Sequence, residues 1–325
     1  MEIYVGSTAP VKHKIYWRGE EQDSDNLPTV TVYDITNDPL NPVSPTTILA
    51  TLTSEKLETE VGVYQVFLPT ALVSRTKELK LLWSYTITGL IQTKEHNLYV
   101  VKPYTDLEQT REELDFGGDR SDPNYKSYSQ LVLAERYARK VIENHTGQKF
   151  YPYDETHLAH GADSDTLMLN AKVINLHRLY VNDSLLVNNL SVPKVNNLSS
   201  AVNVTESGFG IRVDRSSVVD NTVYTANGMV PPSIYDSASL FKQGYRYQVY
   251  ARFGYAEVPD DIDLACIELM KDYFSKDIAW RNKYIKKIST FDWDFEYSGG
   301  VSSGTGNLYA DQLLADYVVS QVMLL

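Results

Sequence analysis

The stretch YRYQVYARFGYAEVPDDIDLACIELMKDYFSKDIAW, residues 245–280, predicts a strand, a turn and a helix in immediate succession. In its first part apolar residues alternate with more polar ones, which is the two-residue period of a strand. The apolar set is Tyr247, Val249, Ala251 and Phe253, and the intervening set is Arg246, Gln248, Tyr250 and Arg252. Gly254 and Tyr255 interrupt the alternation, so we expect the strand to end near Phe253.

The second part of this stretch predicts a helix over residues 259–281. Pro259 suits a first helical turn, because the amide hydrogen that proline lacks would have no partner there. Asp260 and Asp261 place negative charge at the positive end of the helix dipole. One apolar stripe follows the helical period: Ile262, Cys266, Leu269 and Tyr273. The pattern favours a core helix without catalytic groups, so we expect the function to lie in assembly with other chains.

The overall composition excludes several classes of protein. A chain of 325 residues with 43% hydrophobic residues is large enough for two domains with sizeable cores. The formal net charge of −12 argues against a sequence-independent grip on nucleic acid, which needs clustered Lys and Arg. Tyrosine is abundant, with 24 residues against 9 phenylalanines, and tyrosine suits protein interfaces.

The single cysteine, Cys266, rules out an intramolecular disulfide. No run of residues approaches the length of a membrane span, and the N-terminus MEIYVGSTAP does not have the pattern of a signal peptide. We therefore expect no membrane association.

Residues 1–103 predict an all-β domain. Short alternating runs are separated by clusters of Pro, Asn and Asp, and no helix pattern occurs. The runs are Val11 to Trp17, Thr29 to Tyr33, Val63 to Leu68, Leu81 to Ile87 and Asn97 to Val101. In architecture, though not in any motif, this region resembles the immunoglobulin-like decoration domains common on virion proteins. A generic β-sandwich of another function remains an alternative.

The boundary at Lys102–Pro103 opens a second domain, residues 104–325. A short polar helix is predicted over 105–115, and a long one over 123–146, with Asp122 as N-cap, Pro123 at the first position and Gly147 at the end. A β insertion over about 148–256 follows, with strands at Thr166 to Leu169, Val173 to Val181, Gly210 to Val213 and Tyr245 to Phe253, and with Asn/Ser-rich loops over 187–240. The predicted fold class is thus α+β multidomain.

Four segments of this second domain together resemble head–tail connector proteins of tailed phages, the adaptor or head-completion family. They are ERYARKVIENHTGQKF (135–150), DTLMLNAKVINLHRLYVNDSLL (165–186), YQVYARFGYAEVPDDIDLACIELMKDYF (247–274) and ISTFDWDFEYSGGVSSGTGNLYADQLLADYVV (288–319). Their order and spacing carry the resemblance. The N-terminal domain and the 187–240 loops depart from the minimal family pattern.

The resemblance implies a structural protein of the virion neck that forms a ring, usually a dodecamer. The ring would lie between the portal protein and a downstream tail or neck protein, such as a tail hub, nozzle or terminator. DNA would pass through the ring without specific binding. In the family the C-terminal helix engages the portal. Here that helix is predicted over 308–325, with an apolar face of Leu314, Tyr317, Val318, Val322 and Leu325. Packing of this helix back on its own domain is the alternative.

Residues 290–297 predict a strand with one aromatic and one acidic face. The aromatic face includes Phe291, Trp293 and Phe295, and the acidic face is Asp292, Asp294 and Glu296. We expect this strand at a subunit contact or in the lumen of the ring, where acidic residues would keep DNA from adhering. A solvated strand edge with charges against aggregation is the alternative.

No pattern in the sequence predicts catalysis, a metal or a cofactor. His157 and His160 form an H-x-x-H pair in a predicted loop without further ligands, and Asp163 and Asp165 lack the EF-hand pattern. The glycine-rich SGGVSSGTG (298–306) lacks the lysine of a phosphate-binding loop. The rival function is a tail-associated or decoration module whose N-terminal domain recognises a glycan or another virion protein.

Overall fold

The computed structural model describes residues 1–35, 48–118, 120–188, 202–213, 241–275, 287–290, 293–296 and 304–318. It has the mixed helix and strand content of an α+β multidomain protein, with a β-rich N-terminal region, as predicted. The chain divides into two compact units. Unit 1 comprises Met1–Lys102 and Pro152–Phe253, and unit 2 comprises Pro103–Tyr151 and Gly254–Leu325. The assignment of residues 1–103 and 104–325 as functional domains stays a prediction.

The first stretch of unit 1, outside residues 36–47, contains ten strands. They are β1 (Glu2–Tyr4), β2 (Val11–Lys14), β3 (Tyr16–Trp17), β4 (Glu20–Glu21), β5 (Thr29–Asp34), β6 (Ile48–Thr53), β7 (Glu55–Lys56), β8 (Val63–Val66), β9 (Lys77–Ile87) and β10 (Leu90–Val101). A five-stranded sheet has the order β1-β10-β9-β5-β6, and a three-stranded sheet has the order β2-β8-β7. Residues of both sheets, among them Val11, Tyr64, Leu81 and Trp83, share one hydrophobic core.

The long hairpin β9–β10 supplies two adjacent inner strands of the larger sheet. Its two-residue turn is Thr88-Gly89, and both residues have positive φ, +50° and +78°, as a type I′ turn requires. The right-handed twist of this turn matches that of the strands. Strand β10 is longer than the predicted run from Asn97, because Leu90 and the residues after it continue the pairing with β9 up to the turn.

The second stretch of unit 1 contains β11 (Tyr153–His160), β12 (Thr166–Met168), β13 (Val173–Val181), β14 (Ser184–Asn188), β15 (Val202–Val204), β16 (Gly210–Val213) and β17 (Arg246–Phe253). Strands β11-β17-β13-β14 form one sheet, and β12-β16-β15 form another. The predicted strands at Val173–Val181 and Gly210–Val213 are confirmed, and the apolar set of β17 lies in the core, as its alternation predicts.

Strand β11 was not predicted, and it corrects the placement of the H-x-x-H pair. His157 and His160 lie on a strand rather than in a loop. A spacing of three along a strand puts the two side chains on opposite faces of the sheet, so they cannot share a ligand. His157 stacks on Phe253, with ring centroids 4.0 Å apart.

The described residues of unit 2 include four α-helices: α1 (Leu107–Glu113), α2 (Tyr128–Thr146), α3 (Asp260–Phe274) and α4 (Leu308–Leu314). Helix α2 begins at Tyr128 rather than at Pro123, because Ser127 and Gln130 form a reciprocal capping box there. Asp122 instead accepts a hydrogen bond from the Asn124 amide in a turn. At the other end Gly147, with φ +71°, terminates α2 as predicted.

Helices α2 and α3 pack against each other and form the core of unit 2. The predicted stripes account for most of the buried side chains: Leu131, Ala134, Ala138 and Ile142 on α2, and Ile262, Cys266 and Leu269 on α3. Tyr273 departs from its stripe, because 43% of its surface is exposed. Within the described residues α3 ends at Phe274, and residues 276–281 of the predicted helix lie outside them.

A small hairpin, β18 (Lys287–Thr290) with β19 (Trp293–Glu296), precedes α4 and includes part of the predicted 290–297 strand. No helix in the described part of the chain has the length and apolar character needed to cross a membrane.

Candidate functional site

An exposed aromatic patch lies on the outer surface of the α2–α3 pair. Tyr137 of α2 and Tyr273 of α3 have their ring centroids 5.4 Å apart, and 51% and 43% of their surfaces are exposed. Leu133, one helical turn before Tyr137, is exposed as well. The patch forms where Tyr137 of α2 and Tyr273 of α3 meet with both side chains still exposed.

Phe116 and Phe274 extend this patch. Their rings meet edge to face with centroids 4.9 Å apart, and the Phe274 ring lies 5.3 Å from that of Tyr273. The Lys126 ammonium stands 5.6 Å from both phenylalanine rings, within cation–π range. We call Phe116, Leu133, Tyr137, Tyr273 and Phe274 together the aromatic patch. Phe116 and Phe274 also line an open depression beside Lys271.

Helix α2 also contains a fully buried ion pair. Glu135 and Arg139, one helical turn apart, have no exposed side-chain surface, and Arg139 Nε donates to Glu135 Oε1 at 3.2 Å. The Tyr104 amide donates to the same oxygen at 3.0 Å. Glu143 lies 3.7 Å from Arg139 Nη1. A buried carboxylate and a buried guanidinium are tolerable here because each has partners.

Tyr104 links this cluster to the end of α2. Its hydroxyl donates to Glu143 Oε1 at 3.1 Å and accepts from the Phe150 amide at 2.9 Å. Burial, followed by the charge of Glu143, raises the pKa of the Tyr104 phenol well above its usual value, so the phenol stays a hydrogen-bond donor. This cluster was not predicted from the sequence, although Glu135 and Arg139, four residues apart and each directly after an alanine of the apolar stripe, were a signal for it.

Helix α4 is anchored to unit 2 by its N-terminal residues. The Asn307 side-chain oxygen accepts from the Tyr309 and Ala310 amides, and its Nδ2 donates to Asp272 Oδ2 at 3.0 Å. Asp311 accepts from the amide and the hydroxyl of Thr305, both at 2.7 Å. These contacts hold the start of the helix against α3.

Two of the predicted portal-docking residues pack within unit 2. Leu314 is fully buried. The Tyr317 carbonyl accepts from Gln148 Nε2 at 2.5 Å, and its ring meets Phe150 edge to face at 5.4 Å. Leu314 therefore cannot contact another chain while this packing holds. The helix ends at Leu314 and passes into a 3₁₀ turn over Ala315–Tyr317, so the expected continuous helix beyond Leu314 is wrong for these residues.

The remaining docking residues divide into one that is accessible and two that lie outside the described residues. Val318 is extended in conformation, and 42% of its surface is exposed. Val322 and Leu325 belong to the undescribed end of the chain. Of the predicted lumen or subunit-contact residues, Trp293, Asp294, Phe295 and Glu296 lie on β19, and Phe291 and Asp292 are outside the described residues.

Within the described ranges, no three His, Cys, Asp or Glu residues are grouped so that they could hold a metal ion. Cys266 is buried in the core of unit 2, as its place in the stripe predicts. Burial raises the pKa of its thiol well above the usual value, and Glu135 and Asp263 act in the same direction. The thiol is therefore protonated and inaccessible, which is unsuitable for a nucleophile.

A comparison with family models finds no match for the chain, and a comparison with curated proteins finds none either. Among solved structures, one similar chain comes from a structure described as "Neck of empty GTA particle computed with C6 symmetry". The identity is 14%, and the similarity covers 67% of this chain and 90% of that chain, with a TM-score of 0.36. A TM-score this low does not establish a common fold.

Proposed function

We propose that this chain is a structural protein of a phage-like virion and forms a ring in the neck between the portal protein and the tail. The sequence resemblance to head–tail connectors supports this proposal. Segments of the four resembling stretches fold as α2, as β12 and β13, as β17 followed by α3, and as β18–β19 followed by α4. This alternation of two core helices, a β region and a C-terminal helix is the organisation that the resemblance implies.

The observation that carries the proposal is the aromatic patch. Large apolar surfaces on soluble chains mark contacts with other proteins, and tyrosine and phenylalanine supply much of the energy in such contacts. We propose that the patch packs against the neighbouring subunit of the ring. Because the patch lies outside the buried cluster of Glu135 and Arg139, its side chains can be changed without removing the core of unit 2.

The test replaces the two exposed tyrosines of the patch. The double variant Tyr137→Ser with Tyr273→Ser should keep the circular dichroism spectrum of the native chain but fail to enter necks in particle assembly. Tyr128→Ser, at an equally exposed tyrosine at the start of α2, is the matched control and should assemble normally. Normal assembly of the double variant would contradict the patch as a subunit contact.

The acidic character of the chain supports a conduit through which DNA passes without specific binding. A formal charge of −12 repels phosphate, and the predicted lumen strand carries Asp292, Asp294 and Glu296. In this proposal the portal lies on one side of the ring and a tail or neck protein on the other. The twelve-fold number remains a proposal from the resemblance.

We also propose portal docking by the end of the chain, now centred on Val318 and the residues after it. This revised location follows from the burial of Leu314 and the internal contacts of Tyr317. An exposed apolar residue directly after an anchored helix is suited to insertion into a groove of a partner.

A second candidate function, recognition of a glycan or another virion protein by residues 1–103, is favoured by one observation. Leu90 and Ile91, directly after the β9–β10 turn, are 56% and 76% exposed. Two exposed apolar residues at a hairpin tip are suited to a binding contact. The variant Leu90→Ser with Ile91→Ser should abolish binding to that partner if this function is correct, and should leave neck assembly unchanged if only the ring proposal is correct.

A further inference from the structure

A pair of histidines connects the two sheets of the N-terminal stretch. His13 lies on β2 of the three-stranded sheet, and His96 lies on β10 of the five-stranded sheet. His13 Nδ1 and His96 Nε2 are 3.0 Å apart, a hydrogen-bond distance. His13 is 7% exposed, and its ring packs against Trp83 and Tyr85 of β9 with centroids 5.0 Å and 5.7 Å away.

Two polar atoms at this place are buried and have no hydrogen-bond partner among the described residues: His13 Nε2 and Trp83 Nε1. An indole nitrogen can only donate, whereas a neutral imidazole has one donor and one acceptor nitrogen. If His13 Nδ1–H donates to His96, then Nε2 keeps its lone pair and does not add a second buried donor. We expect this tautomer, because the other one would bury two donors without an acceptor.

Protonation of His13 creates a buried donor that lacks an acceptor. A charged imidazole donates from both nitrogens. Its Nε2–H would then be buried with no acceptor among the described residues. The groups that act on the pair make this state still less favourable, because they are positive or neutral: Lys94 for both histidines, the N-terminal amine for His96, and the phenol of Tyr85, which burial keeps protonated.

We propose that His13 and His96 form a pH-sensitive latch that joins strands β2 and β10 while both imidazoles are neutral and releases them when His13 takes up a proton. Above neutral pH the latch is closed. In acid the cost of a charged His13 in this site is relieved when β2 separates from β10 and the imidazole reaches water.

The direction of the effect follows from the two protonation equilibria. Burial, together with His96 and Lys94, lowers the pKa of His13 from 6.5 to about 4 in the folded chain. Between these values the unfolded chain binds more protons at His13 than the folded chain does. The free energy of unfolding therefore falls as the pH is lowered from about 6.5 towards 4, and His13 contributes no further change below that range.

The test compares urea unfolding of the full chain at pH 7 and pH 4.5 for three proteins. The variant His13→Gln removes the titrating group but keeps a donor and an acceptor. The variant His160→Gln, at an exposed histidine of β11, is the matched control. The native chain and His160→Gln should lose more stability on acidification than His13→Gln does, because other groups titrate alike in all three. An equal loss in all three would overturn the proposal.

A second measurement needs no variant that might fail to fold. The NMR titration of the His13 ring in the native chain should show a midpoint well below 6.5, with the proton of the neutral ring on Nδ1. A midpoint near 6.5, or a neutral ring protonated on Nε2, would overturn the latch.

Discussion

At the scale of single residues, unit 2 contains a few buried polar groups that form hydrogen bonds and an ion pair with one another. Glu135 accepts from Arg139 and from the Tyr104 amide, and the Tyr104 hydroxyl joins Glu143 to the Phe150 amide. A buried ion pair is not necessarily more stable than a hydrophobic pair of the same volume. It does fix the position of α2 against residues 104 and 150, which flank the helix in sequence.

Removing one partner of this pair should be strongly destabilising. Glu135→Leu leaves the Arg139 guanidinium buried with fewer acceptors, and we expect a loss of about 3 kcal/mol in the free energy of unfolding. The double variant Glu135→Leu with Arg139→Met should recover much of this loss, because no uncompensated charge remains. Urea denaturation measures both.

Asn144→Ala, at an exposed position of the same helix, is the control and should change stability by less than about 0.5 kcal/mol. If Glu135→Leu were no worse than this control, the pair would not be buried as the structure shows.

The sequence predicted apolar burial in the two long helices well, and polar burial poorly. Leu131, Ala138 and Cys266 were assigned to the core from the helical period, and they lie there. The period could not place Glu135 and Arg139, since their charge argued for exposure and only their partners make burial possible. Tyr273 is the opposite case, because its place in the stripe argued for burial, whereas 43% of its surface is exposed.

At the scale of elements, the start of α2 shows how local chemistry decides a boundary. Asp122-Pro123 has the composition of a helix start, but Ser127 and Gln130 satisfy more of the free amides through the capping box. Ser127→Ala should therefore cost about 1 kcal/mol of stability. Asp122→Ala should cost clearly less, since Asp122 caps a turn. The reverse order, measured by thermal unfolding, would place the helix start at Pro123.

The C-terminal segment has a structural part and an accessible part, and two truncations separate them. Removal of residues 308–325 takes away the buried Ala310 and Leu314. We expect that truncation to lower the thermal midpoint of unit 2. Removal of residues 318–325 keeps α4 and Tyr317 in place.

The shorter truncation should leave the thermal midpoint unchanged and abolish association with the portal in a pull-down assay. Substitution of Val318 by Ser within the full chain should weaken the same association, with Leu308→Ser, at an exposed apolar residue of α4, as the matched control. Undiminished portal binding by the 1–317 chain would contradict docking by this segment.

Strands were predicted where alternation is regular, as in β13, β16 and β17, and missed where it is not. In β11 the sequence YDETHLAH offers no apolar face, and pairing with β17 from Phe253 to Arg246 makes it a strand. Because β11 is a strand through its pairing with β17, it cannot be deduced from its own eight residues.

At the scale of the whole molecule, the protein is an acidic α+β chain with an exposed aromatic patch on unit 2. The fold class was predictable because helix and strand periods are strong signals over this length. The aromatic patch was not, because its residues come from three separate parts of the sequence, around Phe116, Tyr137 and Tyr273. The hydrophobic period locates the inner face of a helix but not which outer residues of two helices become neighbours.

The proposal that this chain forms a ring in the neck can be tested by counting. The quantity to measure is the number of its copies per portal protein in purified particles. Quantitative mass spectrometry with isotope-labelled peptides of both chains provides that ratio. If the chain forms such a ring, we expect a ratio near one, as for two stacked rings of equal subunit number. A ratio close to that of the capsid subunits or of the fibres, or absence of the chain from particles, would contradict it.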